Sequence, residues 1–231
     1  MRRPILLPAL LVFLALVSSQ SPAQSPAQPE LVFHFERPGL PVPVFTFTLH
    51  QDGSGTYAAS YVSSAPTSKY SPYPAAPAAS VETSAPITLS AKTTSFLFDR
   101  VRSADHLQNC EAKVKNIANT GAKTITYTGP EGTAHCTYNY TENKSVAAIT
   151  DTFQGIAETL AEGRSIEQKH RFDRLGLDHE LSILADNVRD GRALEVATIA
   201  HVLQSLIDDT QVMDRVRKRA ASLLEASGNV H

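Results

Sequence analysis

The chain reads as an α+β protein, a mostly antiparallel sheet with one or two packing helices, followed by a C-terminal helical unit. Three observations predict this. Apolar residues recur at every second position in segments between residues 30 and 140. Turns rich in Gly and Pro join those segments as hairpins. From about Asn143 the apolar period changes from two to 3.6. Sequential strands joined by hairpins pair antiparallel.

The first 24 residues precede that fold. Arg2 and Arg3 are followed by a 13-residue apolar run, residues 5–17, and then by Ser18, Ser19, Gln20, Ser21, Pro22 and Ala23. This is the order of a secretory signal peptide over residues 1–24, with cleavage between Ser19 and Gln24. A spanning helix needs about 20 residues, so no integral membrane anchor is expected after cleavage. A periplasmic or secreted location is expected. Residues 25–29 continue an S-P-A-Q repeat and read as a flexible lead.

The sheet-rich part spans residues 30–142. Residues 31–36 alternate and predict a strand, and residues 37–42 (RPGLPV) predict a turn. Residues 44–50 place Val44, Thr46 and Thr48 on one side and Phe45, Phe47 and Leu49 on the other, the phenylalanine side facing the core. Asp52-Gly53 marks a hairpin, and residues 56–62 return. Residues 63–86 carry five prolines with Tyr70 and Tyr73, and read as a long surface loop. A short strand at 87–89 leads to Ser90, a helix N-cap. The helix runs to about Ser103 with Phe96, Leu97, Phe98 and Val101 as its apolar stripe. Strands are then expected at 112–118, 122–128 and 133–140.

The helical part spans residues 143–231. Val146, Ile149, Phe153, Ile156 and Leu160 form one face of a helix packed on a sheet. Gly163 reads as a break, and helices are expected at 180–188, 193–207 and 211–224. The last two resemble a single HEAT-type pair. Few linker residues separate Tyr140 from the first long helix, so one cooperative unit is expected.

The chain has no Trp, two Cys and a formal net charge of −2. Loss of Arg2 and Arg3 makes that −4, which gives no long-range attraction for nucleic acid. Cys110 and Cys136, with 25 residues between them, are expected as one disulfide in an oxidising compartment.

Pro43-Val44-Phe45-Thr46-Phe47-Thr48-Leu49, then Asp52-Gly53-Ser54-Gly55-Thr56-Tyr57, then the strand–helix step over residues 86–101, resemble the pattern of a family of bacterial exported domains of unknown function. The resemblance covers roughly residues 30–160. The cysteine that often precedes the proline in that family is absent here. The C-terminal part is similar to that of uncharacterised exported acidobacterial proteins. The resemblance implies the α+β fold and carries over no catalytic residue.

Candidate chemistry is sparse. His170, Asp173 and His179, with Asp178, form the densest group of metal-ligand types, and His170 and Asp173 share a helix face. The alternative is an elbow laced with ion pairs whose packing side is Phe172, Leu175 and Leu177. His34, His50 and His135 lie on strands and offer a remote three-histidine site. Glu131 and Glu142 read as turn residues. Arg215, Arg217, Lys218 and Arg219 read as a solvated helix face. Asn139 and Asn143 fit a glycosylation pattern. There is no G-x-S-x-G elbow, H-E-x-x-H, Gly-rich phosphate loop or calcium loop. The reading that follows is a non-enzymatic envelope or secreted binding module with a protein partner and no cofactor. The alternatives are a metal-dependent or other hydrolase at residues 170–179 and a purely structural periplasmic protein.

Overall fold

The computed structural model describes residues 28–63, 79–104, 107–112 and 117–228. The expected signal peptide, most of the flexible lead, and Tyr70 and Tyr73 lie outside the described residues.

The described chain is α+β. Six strands, β1 (Glu30–Glu36), β2 (Val44–His50), β3 (Ser54–Ser63), β4 (Ala79–Thr88), β5 (Ala122–Gly129) and β6 (Gly132–Tyr138), form one antiparallel sheet in the order β4-β3-β2-β1-β5-β6. The period-two pattern is realised as drawn: Leu31, Phe33, Phe47, Leu49, Ile125 and Tyr127 face the core, and the threonines between them face outward. The β2–β3 turn needs Gly53, which sits at φ +86° with the Leu89 carbonyl 2.8 Å from where a Cβ would be. Asp52 Oδ1 accepts the Ser54 N–H at 2.9 Å and holds the turn.

The helix α1 (Ala91–Ser103) starts at Ser90, whose hydroxyl accepts the Thr93 N–H. The helix α2 (Lys144–Phe172) is capped by Asn143, whose side chain accepts N–H bonds from Ser145 and Val146. Both helices cover the inner sheet face. Phe153 of α2 stacks on Phe33 at 5.0 Å and meets Phe47 at 5.2 Å. The remaining helices, α3 (Leu177–Arg189), α4 (Ala200–Asp208) and α5 (Asp214–Gly228), build a second core from Leu181, Leu184, Leu203, Leu206 and Val216. That core closes on Ile166 of α2, and Leu160 touches both cores. Among the described residues no helix is long and apolar enough to cross a membrane.

The Cys110–Cys136 disulfide joins the segment after α1 to β6, with Cα atoms 6.3 Å apart.

Several expectations are corrected. The loop expected over 63–86 ends early, because residues 79–88 are β4, paired along the whole of β3. Pro86 is compatible with a ladder because β4 is an edge strand and needs no second row of donors. The strand expected at 112–118 is not formed at Ala112 or at residues 117–118, and 113–116 lie outside the described residues. Both edges of β5 are already taken by β1 and β6. The connection is held by side chains: Asn139 Oδ1 accepts the Thr120 N–H at 2.8 Å and Asn119 Oδ1 accepts that of Gly121 at 2.9 Å. On α1, Phe96 is exposed and Thr94 is buried in its place. Gly163 does not break α2. It admits Ile199, whose Cγ2 lies 2.5 Å from where a Cβ would be. The helix expected at 193–207 begins with a single 3-10 turn (Val196–Ile199), and α3 starts earlier than expected.

Candidate functional site

The second half of α2 runs past the sheet and leaves a cleft of about 670 Å³ against the 37–43 turn and the ends of β3 and β4. Its walls include Pro41, Val42, Tyr61, Val62, Val81, Ala161, Arg164, Ser165, Gln168 and Phe172. The same Pro41, Val42, Ala161 and Ser165 also line an adjoining cleft of about 520 Å³ that reaches Glu158, Glu162 and Glu180. Concave spaces of this size are in the range that takes small ligands or peptide segments.

The two clefts differ in charge. In the larger, the Arg164 guanidinium lies over the Tyr61 ring, 4.3 Å from its centroid. Tyr57, two turns of the pleat earlier on the same face of β3, is 4% exposed and its hydroxyl has no hydrogen-bond partner. Burial pushes the Tyr57 pKa well up, and Tyr61 and Arg164 lie near enough to act on it. In the smaller cleft, the Asn187 amide donates to Glu158 at 3.5 Å and Glu162 at 3.4 Å. Glu180 accepts from Ser165 and lies 3.7 Å from Lys169 Nζ. Burial, with the Glu158 and Glu180 carboxylates adding to it, pushes the Glu162 pKa up to about 7.

Apolar surface gathers at this end. Phe172, on the rim of the larger cleft, is 82% exposed and Leu175 just beyond it is 84% exposed. This corrects the expected packing side of the elbow, where only Leu177 is buried. The last buried side chain of α2 is Ile166, so Phe172 extends beyond the helical core.

The residues singled out from sequence do not converge. His170 Nε2 bonds Asp209 Oδ2 at 2.9 Å, and Arg174 reaches the same oxygen at 3.2 Å. Asp173 caps the following 3-10 turn (Arg174–Gly176) and lies 3.8 Å from Lys169. Asp178 takes Arg219 at 2.6 Å and Arg215 at 3.2 Å, and His179 is exposed. His34 bonds Thr46 at 2.8 Å and His135 bonds Thr126 at 3.0 Å, on strands separated by β5, while His50 lies level with Glu30. Among the described residues no group of three or more His, Cys, Asp or Glu side chains is placed to hold a metal ion.

The basic cluster of α5 is not simply solvated. Arg215 and Arg219 clamp Asp178 of α3, while Arg217 and Lys218 pair with Asp214 on their own helix. Glu131 accepts from the Tyr127 hydroxyl at 2.6 Å beside its hairpin. Asn139 and Asn143 both bond the backbone, Asn139 to Ala118 and Asn143 as the α2 cap.

Sequence reasoning missed Arg164, Tyr57 and Glu162. Parity on β3 does place Tyr57 and Tyr61 on one face, and the helical period does align Ala161, Arg164, Ser165 and Gln168. Nothing local says that these two faces meet.

No family model matches this chain, and no curated protein matches it.

Proposed function

We propose that this chain is an exported, non-enzymatic binding module that meets a protein partner at the end of α2. One observation carries the reading. Phe172 and Leu175 are by far the most exposed large apolar side chains of the described residues, and Phe172 borders a cleft together with exposed Val62 and Val81. Apolar groups left in water beside a concavity mark an interaction surface. Export is supported by the basic, apolar and small-residue order of residues 1–24, by the disulfide, and by the resemblance of residues 30–160 to exported bacterial domains.

The test is retention of envelope proteins on the immobilised chain, against a Phe172→Ser/Leu175→Ser variant checked for unchanged circular dichroism. A partner held reproducibly by the native chain and lost by the variant supports the reading. A partner held equally by both, or none in repeated trials, counts against it.

A further inference from the structure

Resting on that reading, we propose that the two adjoining clefts along α2 together take an extended peptide with a free carboxylate on an apolar residue, the carboxylate seated on Arg164 in the larger and a basic group of the same peptide reaching Glu158 and Glu162 in the smaller. The anion end is built from two residues, Arg164 and Tyr61. The Arg164 guanidinium lies over the Tyr61 ring, and no carboxylate of the described residues pairs with it. Glu167, which lines the same cleft one turn along the helix, is held by Arg171. A guanidinium presents a fork of donors matched to the two oxygens of a carboxylate.

The apolar residue of the peptide has Val62, Val81 and Phe172 to meet. The adjoining cleft is acidic. Glu158 and Glu162 share one Asn187 amide, and no cation of the described residues pairs with either. Glu158 and Arg164 are six positions apart, so about 9 Å along the helix axis. An extended peptide spans that in about three residues. Opposite charges at that spacing fit a chain carrying both signs. A fatty acid would use Arg164 and the apolar walls but leave Glu158 and Glu162 without a cation. The Gln168 amide on the cleft wall is suited to peptide groups. An incoming ammonium also favours ionised Glu162, so binding near pH 7 is accompanied by proton release.

The test uses titration calorimetry on the chain produced with its own leader and purified from where it accumulates. The probes are the hexapeptide Ala-Ala-Lys-Ala-Val-Leu with a free carboxylate, the same peptide ending in an amide, and decanoate. The free acid is expected to bind at least about tenfold more tightly than the amide, the worth of one charge-assisted interaction. Arg164→Gln is expected to weaken the free acid and to lose its preference over the amide. Arg164 is exposed, so Arg164→Gln keeps the fold. Equal binding of acid and amide, unchanged binding by Arg164→Gln, or decanoate displacing the peptide overturns the inference. So does no binding of either peptide. A partner still lost by the Phe172→Ser/Leu175→Ser variant in that event keeps the wider reading while this one falls.

Discussion

The carboxylate of Glu195 caps α1 from 105 residues away. Its Oε2 accepts the Ser90 N–H at 2.9 Å and its Oε1 accepts the Ser90 hydroxyl at 2.6 Å. The Thr93 hydroxyl bonds the same carboxylate. Glu195 reaches this position in the left-handed backbone region, at φ 56° and ψ 48°. A negative charge at a helix N-terminus is favoured by the orphan N–H groups and the dipole. The bond therefore couples the helical part of the chain to the first helix of the sheet part.

Removing that cap has a defined signature. Glu195→Ala is expected to cost about 1–3 kcal/mol, since it leaves the Ser90 N–H and hydroxyl short of a partner. Ser90→Ala is expected to cost about 1 kcal/mol. Urea unfolding of both single variants and the double variant should give a coupling of at least about 0.5 kcal/mol. Strict additivity would show that the two residues do not act as one cap.

The disulfide links a loop of 25 intervening residues. Chain-entropy reasoning gives about 3–4 kcal/mol for such a constraint. Adding reductant, or making Cys110→Ala/Cys136→Ala, is expected to lower the melting temperature by several degrees. A melt insensitive to reductant would refute the assignment of that stabilisation.

Gly163 and Gly228 separate packing from propensity. Both are helical, and alanine is intrinsically the better helix former by about 1 kcal/mol. A Cβ at Gly163 meets Ile199 at 2.5 Å, whereas one at Gly228 meets nothing within 4 Å. Gly163→Ala is expected to destabilise by about 1–3 kcal/mol, and Gly228→Ala to be neutral or slightly stabilising. Chemical denaturation of the pair measures both.

Glu162 sets a pH dependence of known sign. Burial pushes its folded pKa up to about 7 from an ordinary 4.5, so the folded state holds the proton more tightly. Native stability from this group is highest at low pH and declines as pH rises from about 4.5 through about 7. Glu158 and Glu180 face it, with Lys169 beyond Glu180. Glu162→Gln is expected to be neutral near pH 4.5 and stabilising at pH 8. Urea midpoints at the two pH values decide it, and a larger gain at the acid end would reverse the sign.

The hairpin of β2 and β3 was legible because Phe45, Phe47 and Leu49 alternate with threonine up to an Asp-Gly turn. The first half of α2 was legible because four of its five stripe residues are fully buried at helical spacing. β4 was not, since its Ala, Ser and Pro composition reads as loop. It becomes a strand only because β3 presents an unpaired edge of ten residues. Phe172 and Leu175 looked like packing residues by type. Their exposure depends on where α2 outruns its neighbours, which no local pattern records. The cleft was invisible for a related reason: Tyr61 and Arg164 are far apart in sequence and share no motif.

That α2 belongs to two cores bears on the fate of incomplete chains. A polypeptide emerging N-terminus first can close the sheet on Phe153 once the first half of α2 has appeared, yet Ile166 has nothing to cover it, and Leu160 only the sheet core, until α3 to α5 follow. Truncation products ending anywhere in that interval present a greasy, half-dressed helix. Such products are ready substrates for chaperones and proteases, so cellular quality control can tell finished molecules from unfinished ones by this one helix.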